Sequence, residues 1–194
     1  MQSAVPKQNR RILGIDPGTN IMGYGVISAE GKQPQLETMG VIVLTKIADP
    51  YTKLATIHER IIKLIDEFQT NEFAIEAPFF GQNVQSMLKL GRAQGVAIAA
   101  AISRQIPICE YAPRKIKLSI TGNGGATKQQ VADTLQRMFR FADMPKNLDA
   151  TDGLAAAVCH FYQNQQPCDN GKHKLAKHST SWADFVNKNP GRVL

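Results

Sequence analysis

Four acidic side chains have the types and positions that suit metal-dependent phosphoryl chemistry: Asp16, Glu76, Asp149 and Asp152. Asp16 ends a short apolar segment at a Pro-Gly turn, and Glu76 ends the apolar segment EFAIE. Asp149 and Asp152 are three residues apart and therefore neighbours on one helix face. If the two apolar segments are adjacent strands and the helix packs across their ends, all four carboxylates converge in one acidic pocket.

Taken singly, most of these acids have ordinary explanations. Aspartate is common before a turn, and aspartates in the first turn of a helix satisfy free backbone N–H groups. Glu76 is harder to explain in this way, because a lone carboxylate at the end of a buried strand is costly to bury. Converging carboxylates repel one another unless cations neutralise them, so the combination predicts a metal site.

Magnesium suits a site of this composition, since it takes oxygen ligands and keeps positions open for water and phosphate. Two such ions about 3.5 to 4 Å apart can hold both oxygens of an in-line phosphodiester displacement. We therefore predict two Mg²⁺ ions, for which Mn²⁺ can substitute. One would activate a water and the other would stabilise the departing 3′ oxygen, with Asp16 bridging the two.

The charge distribution indicates a polyanionic partner. The chain carries 23 Lys and Arg against 16 Asp and Glu, a net charge of +7. Residues 12–88 are net acidic, whereas residues 89–128 hold seven basic side chains and one acidic. A solvated basic face is the plain alternative, but beside an acidic site this stretch favours a nucleic-acid groove. Its candidate phosphate ligands are Arg114, Lys115, Lys117 and Lys128.

Two adjacent aromatic residues, Phe79 and Phe80, follow Glu76 in a segment broken by Pro78 and Gly81. Both cannot easily be core residues in such a loop. One could stack against an unpaired base, a contact worth roughly 1 to 3 kcal/mol.

The elements that would position these residues alternate between strand and helix patterns. Three β-type segments come first, followed by helix, strand, helix, strand and further helices, which predicts an α/β fold with a mixed sheet of about five strands. The predicted strands are 11–16, 23–29, 35–45, 72–76 and 106–111, and the predicted helices are 51–69, 83–104, 113–120, 127–141 and 149–163. Residues 1–10 are expected to form a flexible basic arm, 11–163 one domain, and 164–194 a polar, basic, mobile tail.

No apolar run approaches the roughly 18 residues needed to cross a bilayer, and the first residues lack a hydrophobic signal core. We therefore expect a cytoplasmic protein with no membrane contact.

Five segments together resemble the RuvC family of bacterial Holliday-junction endonucleases: ILGIDPGTNIMGYGVI, FAIEAPFF, LKLGRAQGVAIAAAI, GNGGATKQQV and LDATDGLAAAVCHFY. The resemblance covers about residues 11–163 and implies an RNase H-like fold. It places the four metal-binding acids of the family on Asp16, Glu76, Asp149 and Asp152.

The resemblance also implies features that the residues alone do not give. It assigns junction contact to Phe79, although the Phe79-Phe80 doublet leaves open which ring inserts, and it assigns phosphate contact to Lys117 and Lys128. It implies a homodimer with residues 83–104 at the interface, symmetric nicking of four-way DNA junctions in recombination and repair, and cooperation with the branch-migration proteins RuvA and RuvB.

Three other functions stay open at this point. An RNase H-like protein of the YqgF type would act on RNA, and a non-catalytic protein would bind junctions without cutting them. An actin-like kinase is disfavoured because 194 residues leave no room for its two lobes.

Overall fold

The computed structural model describes residues 10–29, 33–78 and 83–163. The predicted stacking residues Phe79 and Phe80, residues 1–9 of the predicted arm and the predicted tail lie outside the described residues. The elements in chain order are β1 (Arg10–Asp16), β2 (Ile21–Ala29), β3 (Gln35–Val43), α1 (Pro50–Phe68), β4 (Glu72–Glu76), α2 (Val84–Ser103), β5 (Ile108–Tyr111), α3 (Pro113–Thr121), α4 (Lys128–Phe139) and α5 (Asp149–Gln163).

The strands form one mixed five-stranded sheet in the order β3-β2-β1-β4-β5. The first three strands pair antiparallel, and β4 pairs parallel with both β1 and β5. Ile15 of β1 lies beside Ile75 of β4 in this register. The next residue of each strand is a predicted site acid, so Asp16 and Glu76 emerge side by side at one edge of the sheet.

Helices cover both faces of the sheet, as the apolar strands require. Leu13 and Ile15 pack on one face with apolar residues of α1 and α2. Ile12 points to the opposite face and packs with α3, α4 and α5. The predicted α/β architecture with a mixed sheet of about five strands is therefore confirmed.

Helix α5 lies directly on β1 and β2 because glycines remove the side chains between them. A Cβ atom on Gly153 would lie 2.5 Å from the Cα of Tyr24, and one on Gly23 would lie 1.8 Å from the carbonyl oxygen of Asp149. Only glycine permits backbones to approach this closely. The start of α5, which carries two of the predicted site acids, is thereby fixed against the sheet.

Element ends differ from the predictions by a few residues. Strand β1 includes Arg10, predicted to lie in the arm, because Arg10 pairs with Ala29 of β2. Its guanidinium also donates to both carboxylate oxygens of Glu72, at 2.6 and 2.8 Å. Helix α4 ends at Phe139 because Arg140 takes a left-handed conformation (φ 55°). Strands β2 and β5 begin at Ile21 and Ile108, and β3 ends at Val43. Among the described residues, no helix is long and apolar enough to span a membrane.

Candidate active site

Three of the four predicted acids converge at metal-binding distances. Asp16, Asp149 and Asp152 each place a carboxylate oxygen within 4.8 Å of the others. Glu76 stands outside this group, but its charge acts on Asp16 and it is itself influenced by Asp152. The structure thus brings the four residues to one edge of the sheet, as their positions in the sequence predicted.

Burial and mutual repulsion make ionisation of this cluster unfavourable. Burial, then the charges of Glu76 and Asp152, raise the pKa of Asp16 to about 8, although Lys128 partly offsets them. Burial and Asp152 likewise raise the pKa of Glu76 to about 7. Carboxylates whose ionised forms are disfavoured in this way are typical of sites that bind a cation or perform acid-base chemistry.

A lysine ammonium group partly neutralises the cluster. Lys128 Nζ donates to Asp149 Oδ1 at 3.0 Å and to Asp152 Oδ2 at 2.5 Å. Lys128 is the first residue of α4, which begins with a capping box between Thr127 and Gln130. Burial opposes the charged form of Lys128, but the two hydrogen bonds outweigh it and raise the lysine pKa. The sequence predicted a phosphate ligand at this position and did not predict this pairing with the acids.

The other predicted phosphate ligands, all on α3, divide into two groups. Lys117 is close enough to Glu76 for its charge to oppose the rise in the pKa of that carboxyl. Lys115 Nζ instead lies 5.2 Å from the centroid of the Tyr111 ring. The aliphatic part of Arg114 packs against the turn after α3, where a Cβ on Gly124 would lie 2.6 Å from Arg114 Cγ. Lys117 and Lys128 are therefore the two basic candidates that act electrostatically on the acids.

The donor set fits magnesium. Every ligand that the cluster offers is a carboxylate oxygen, the type that hard divalent cations prefer. The ammonium of Lys128, held between Asp149 and Asp152, demonstrates that a positive charge is stabilised there. Charged oxygens, an adjacent lysine and a position at the edge of the sheet together suit chemistry on a phosphodiester.

A second polar cluster, which the sequence did not predict, lies at the opposite end of β1 and β4 from the acids. Glu72 Oε2 lies 2.8 Å from His160 Nε2, and His160 Nδ1 lies 2.7 Å from the Tyr111 hydroxyl. Burial opposes ionisation of Glu72, but hydrogen bonds from Arg10 and His160 outweigh it and lower the Glu72 pKa to about 2. These residues join the strands β1, β4 and β5 to α5.

The glycines in β1, β2 and α5 were a visible signal of close packing that the sequence analysis did not use.

The family model for crossover junction endodeoxyribonuclease RuvC matches residues 12–160 of the chain. Curated relatives of the same name are similar over nearly the whole length. The protein from Bacteroides fragilis is 59% identical over 190 residues, covering 97% of this chain and 98% of the relative. That from Porphyromonas gingivalis is 57% identical over 190 residues, again covering 97% of this chain and 98% of the relative.

Solved structures agree with this assignment. RuvC from Thermus thermophilus has a TM-score of 0.71 at 29% identity and covers 79% of this chain and 95% of its own. The same enzyme in complex with a Holliday junction substrate has a TM-score of 0.73 at 28% identity, with 79% and 94% coverage. Since the family model spans most of the sequence and the relatives exceed half identity, the chain belongs to the RuvC family of crossover junction endodeoxyribonucleases.

Proposed function

We propose that the protein is a magnesium-dependent endonuclease that cuts four-way DNA junctions by paired, symmetric nicks. The observation that carries this proposal is the meeting of Asp16, Asp149 and Asp152 within 4.8 Å, beside Glu76. The Thermus thermophilus relative in complex with a Holliday junction supports the choice of substrate. A cytoplasmic location, where bacterial chromosomal DNA lies, is part of the same proposal.

The four acids are the proposed catalytic residues and ligands. Divalent cations held by them, two Mg²⁺ in our proposal with Mn²⁺ as substitute, would activate the attacking water and stabilise the departing 3′ oxygen. The charges of Glu76, Asp149 and Asp152 all act on Asp16, which supports a bridging role. Its raised pKa means that a cation and a proton compete for it near neutral pH.

Basic residues beside the acids are proposed to hold the substrate. The charges of Lys117 and Lys128 both act on Glu76, which supports a role for both beside the scissile phosphate. Arg114 and Lys115 occupy the same helix as Lys117, α3, and are proposed as backbone contacts farther along the DNA. Phe79 or Phe80 is proposed to stack at the junction centre.

A homodimer would supply two active sites for two matched nicks. Helix α2 supports this proposal because its outer face is apolar and uncovered: Val84 is 65% exposed, Leu88 55% and Ile102 60%. A Cβ on Gly91 or Gly95 of this helix would meet nothing within 4 Å. Two copies related by a two-fold axis could bury this face against each other. RuvA and RuvB are the proposed partners in branch migration.

Oligomeric state tests the dimer. Leu88→Glu should convert the dimer to a monomer in sedimentation velocity, because a carboxylate would be buried at the interface. Val43→Glu is the matched control, since Val43 is 52% exposed on the edge strand β3. A wild-type monomer, or a dimer that survives Leu88→Glu, would contradict the α2 interface.

The catalytic assignment is tested by separating binding from cleavage. Asp16→Asn should still bind a synthetic four-way junction but lose magnesium-dependent cutting by at least about a thousandfold, because a ligand is lost while the basic residues remain. Gel-shift binding and denaturing-gel cleavage measure the two properties. Loss of binding with cleavage in proportion would contradict the assignment of Asp16 to catalysis.

A further inference from the structure

A basic cleft lies on the α1 and α2 side of the fold, separate from the basic residues on α3 and α4. Its volume is about 430 Å³, and it lies between the turn after β1 and the first turns of α1 and α2. Among the described residues, the charged side chains that line it are Lys53, Lys89 and Arg92, and none of its lining residues carries a carboxylate. A concave surface with three cations and no acid is suited to an anionic ligand.

Internal contacts hold one of these cations and leave the other two available. Lys53 Nζ donates to the Thr19 carbonyl oxygen and to Asn20 Oδ1, both at 3.2 Å. Within residues 10–29, 33–78 and 83–163, Lys89 and Arg92 make no hydrogen bond or ion pair, and both are exposed. Lys53 thus fixes the turn against α1, while Lys89 and Arg92 face the cleft and are not paired with any carboxylate that the structure describes.

Two of the segments that form the cleft follow, in the chain, the strands that end at the acids. Thr19 and Asn20 belong to the turn that follows Asp16, and α2 follows the strand that ends at Glu76. The cleft therefore opens at the same edge of the sheet as the acids, but on the opposite side from Lys117 and Lys128. Basic side chains therefore lie on both sides of the acids, one group on the α1 and α2 side of the sheet and the other on the α3 and α4 side.

We propose that this cleft is a second backbone-phosphate subsite, in which Lys89 and Arg92 bind the junction DNA beyond the scissile phosphate. The proposal rests on the proposed junction-cleaving function. Tyr51, which is 74% exposed and lines the cleft, is available to pack against a sugar or base of the same strand. Because α2 also carries the uncovered apolar face, the subsite would lie between the active site and the dimer axis.

The test is the salt dependence of junction binding by Lys89→Ala and Arg92→Ala, made in the Asp16→Asn background so that the DNA stays intact. Each lost phosphate contact should reduce the slope of log K against log salt by about 0.9 and weaken binding roughly five- to tenfold near 0.1 M salt. Lys63→Ala and Arg60→Ala, exposed positions on α1 outside the cleft, are the matched controls and should keep the parent slope.

The outcomes separate the subsite from the proposed function. Reduced slopes for the two cleft variants alone would support the subsite. Parent slopes for both cleft variants, in a protein whose wild type still cuts junctions, would overturn the subsite and leave the nuclease proposal intact. A wild type that neither binds nor cuts junctions would overturn both.

Discussion

Neutralising Asp16 should stabilise the protein when metal is absent. The pKa of this carboxyl rises from its ordinary value of 3.8 to about 8 in the folded state. Between these two values the folded protein holds a proton that the unfolded chain has lost, so the free energy of unfolding falls as pH rises. Asparagine has no such proton, and Asp16→Asn removes this part of the pH dependence.

The magnitude follows from the pKa. Each pH unit within this window lowers the free energy of unfolding by about 1.4 kcal/mol, so the roughly four units between 3.8 and about 8 give about 6 kcal/mol as an upper limit at pH 8. Water entering around the ionised cluster reduces that figure, and we expect Asp16→Asn to gain about 2 to 3 kcal/mol at pH 8. Glu76, with a pKa of about 7, should keep its own contribution to the slope.

Urea unfolding in chelator, at several pH values between about 5 and 8, measures the effect. Asp143→Asn, an exposed acid outside the cluster, is the control and should leave stability nearly unchanged. Added magnesium should stabilise the wild type by mass action and Asp16→Asn far less. An Asp16→Asn variant that is no more stable than wild type at pH 8, with an unchanged pH slope, would refute the reasoning.

Two further predictions concern the packing that positions the site. Gly153→Ala should destabilise the protein by about 2 to 4 kcal/mol and reduce cleavage about a hundredfold, because the new Cβ meets backbone atoms of Tyr24 and Gly23 and α5 must shift. Thermal unfolding and single-turnover cleavage measure the two effects. Gly125→Ala is the control, because its added Cβ has only an ordinary contact. Equal stability of Gly153→Ala and wild type would contradict the prediction. Glu72→Gln should lower the free energy of unfolding by about 2 to 4 kcal/mol, because Arg10 loses its charge partner and the carboxylate that contacts His160 is removed. Glu72 has a folded pKa of about 2 against an ordinary 4.5, so its contribution is present above about pH 4.5 and disappears as pH falls toward about 2. Urea unfolding at several pH values measures this contribution, with exposed Glu67→Gln as the control. The loss of stability in acid should be absent from Glu72→Gln alone, and an unchanged pH profile for Glu72→Gln would be evidence against the network.

The sequence predicted the part of the fold that follows from hydrophobic pattern. The apolar segments that end at Asp16 and Glu76 are adjacent parallel strands, and the helical stripe containing Ile57, Ile61 and Leu64 is buried in α1. The convergence of the four acids was also predicted, because each stands at the end of an apolar strand or the start of a helix. Strand ends and helix starts are where a buried scaffold presents polar groups.

Contacts between residues far apart in the chain could not be predicted in this way. Arg10 and Glu72 are 62 residues apart, and Lys128 and Asp152 are 24 apart, so their pairing depends on how the elements pack. Lys89 was seen only as one member of a basic stretch, because its place in a cleft requires α1 and α2 to be side by side. The end of α4 depends on the left-handed conformation of Arg140, which the residue type does not favour.

Cleavage of a labelled synthetic four-way junction, beside a linear duplex and an RNA of the same sequence, tests the central claim most directly. With magnesium, the account predicts paired, ligatable nicks at symmetric positions in the junction, with the duplex and the RNA intact and no cutting in chelator or by Asp16→Asn. Tight binding of an uncut junction in magnesium or manganese, or preferential cutting of the RNA, would contradict it.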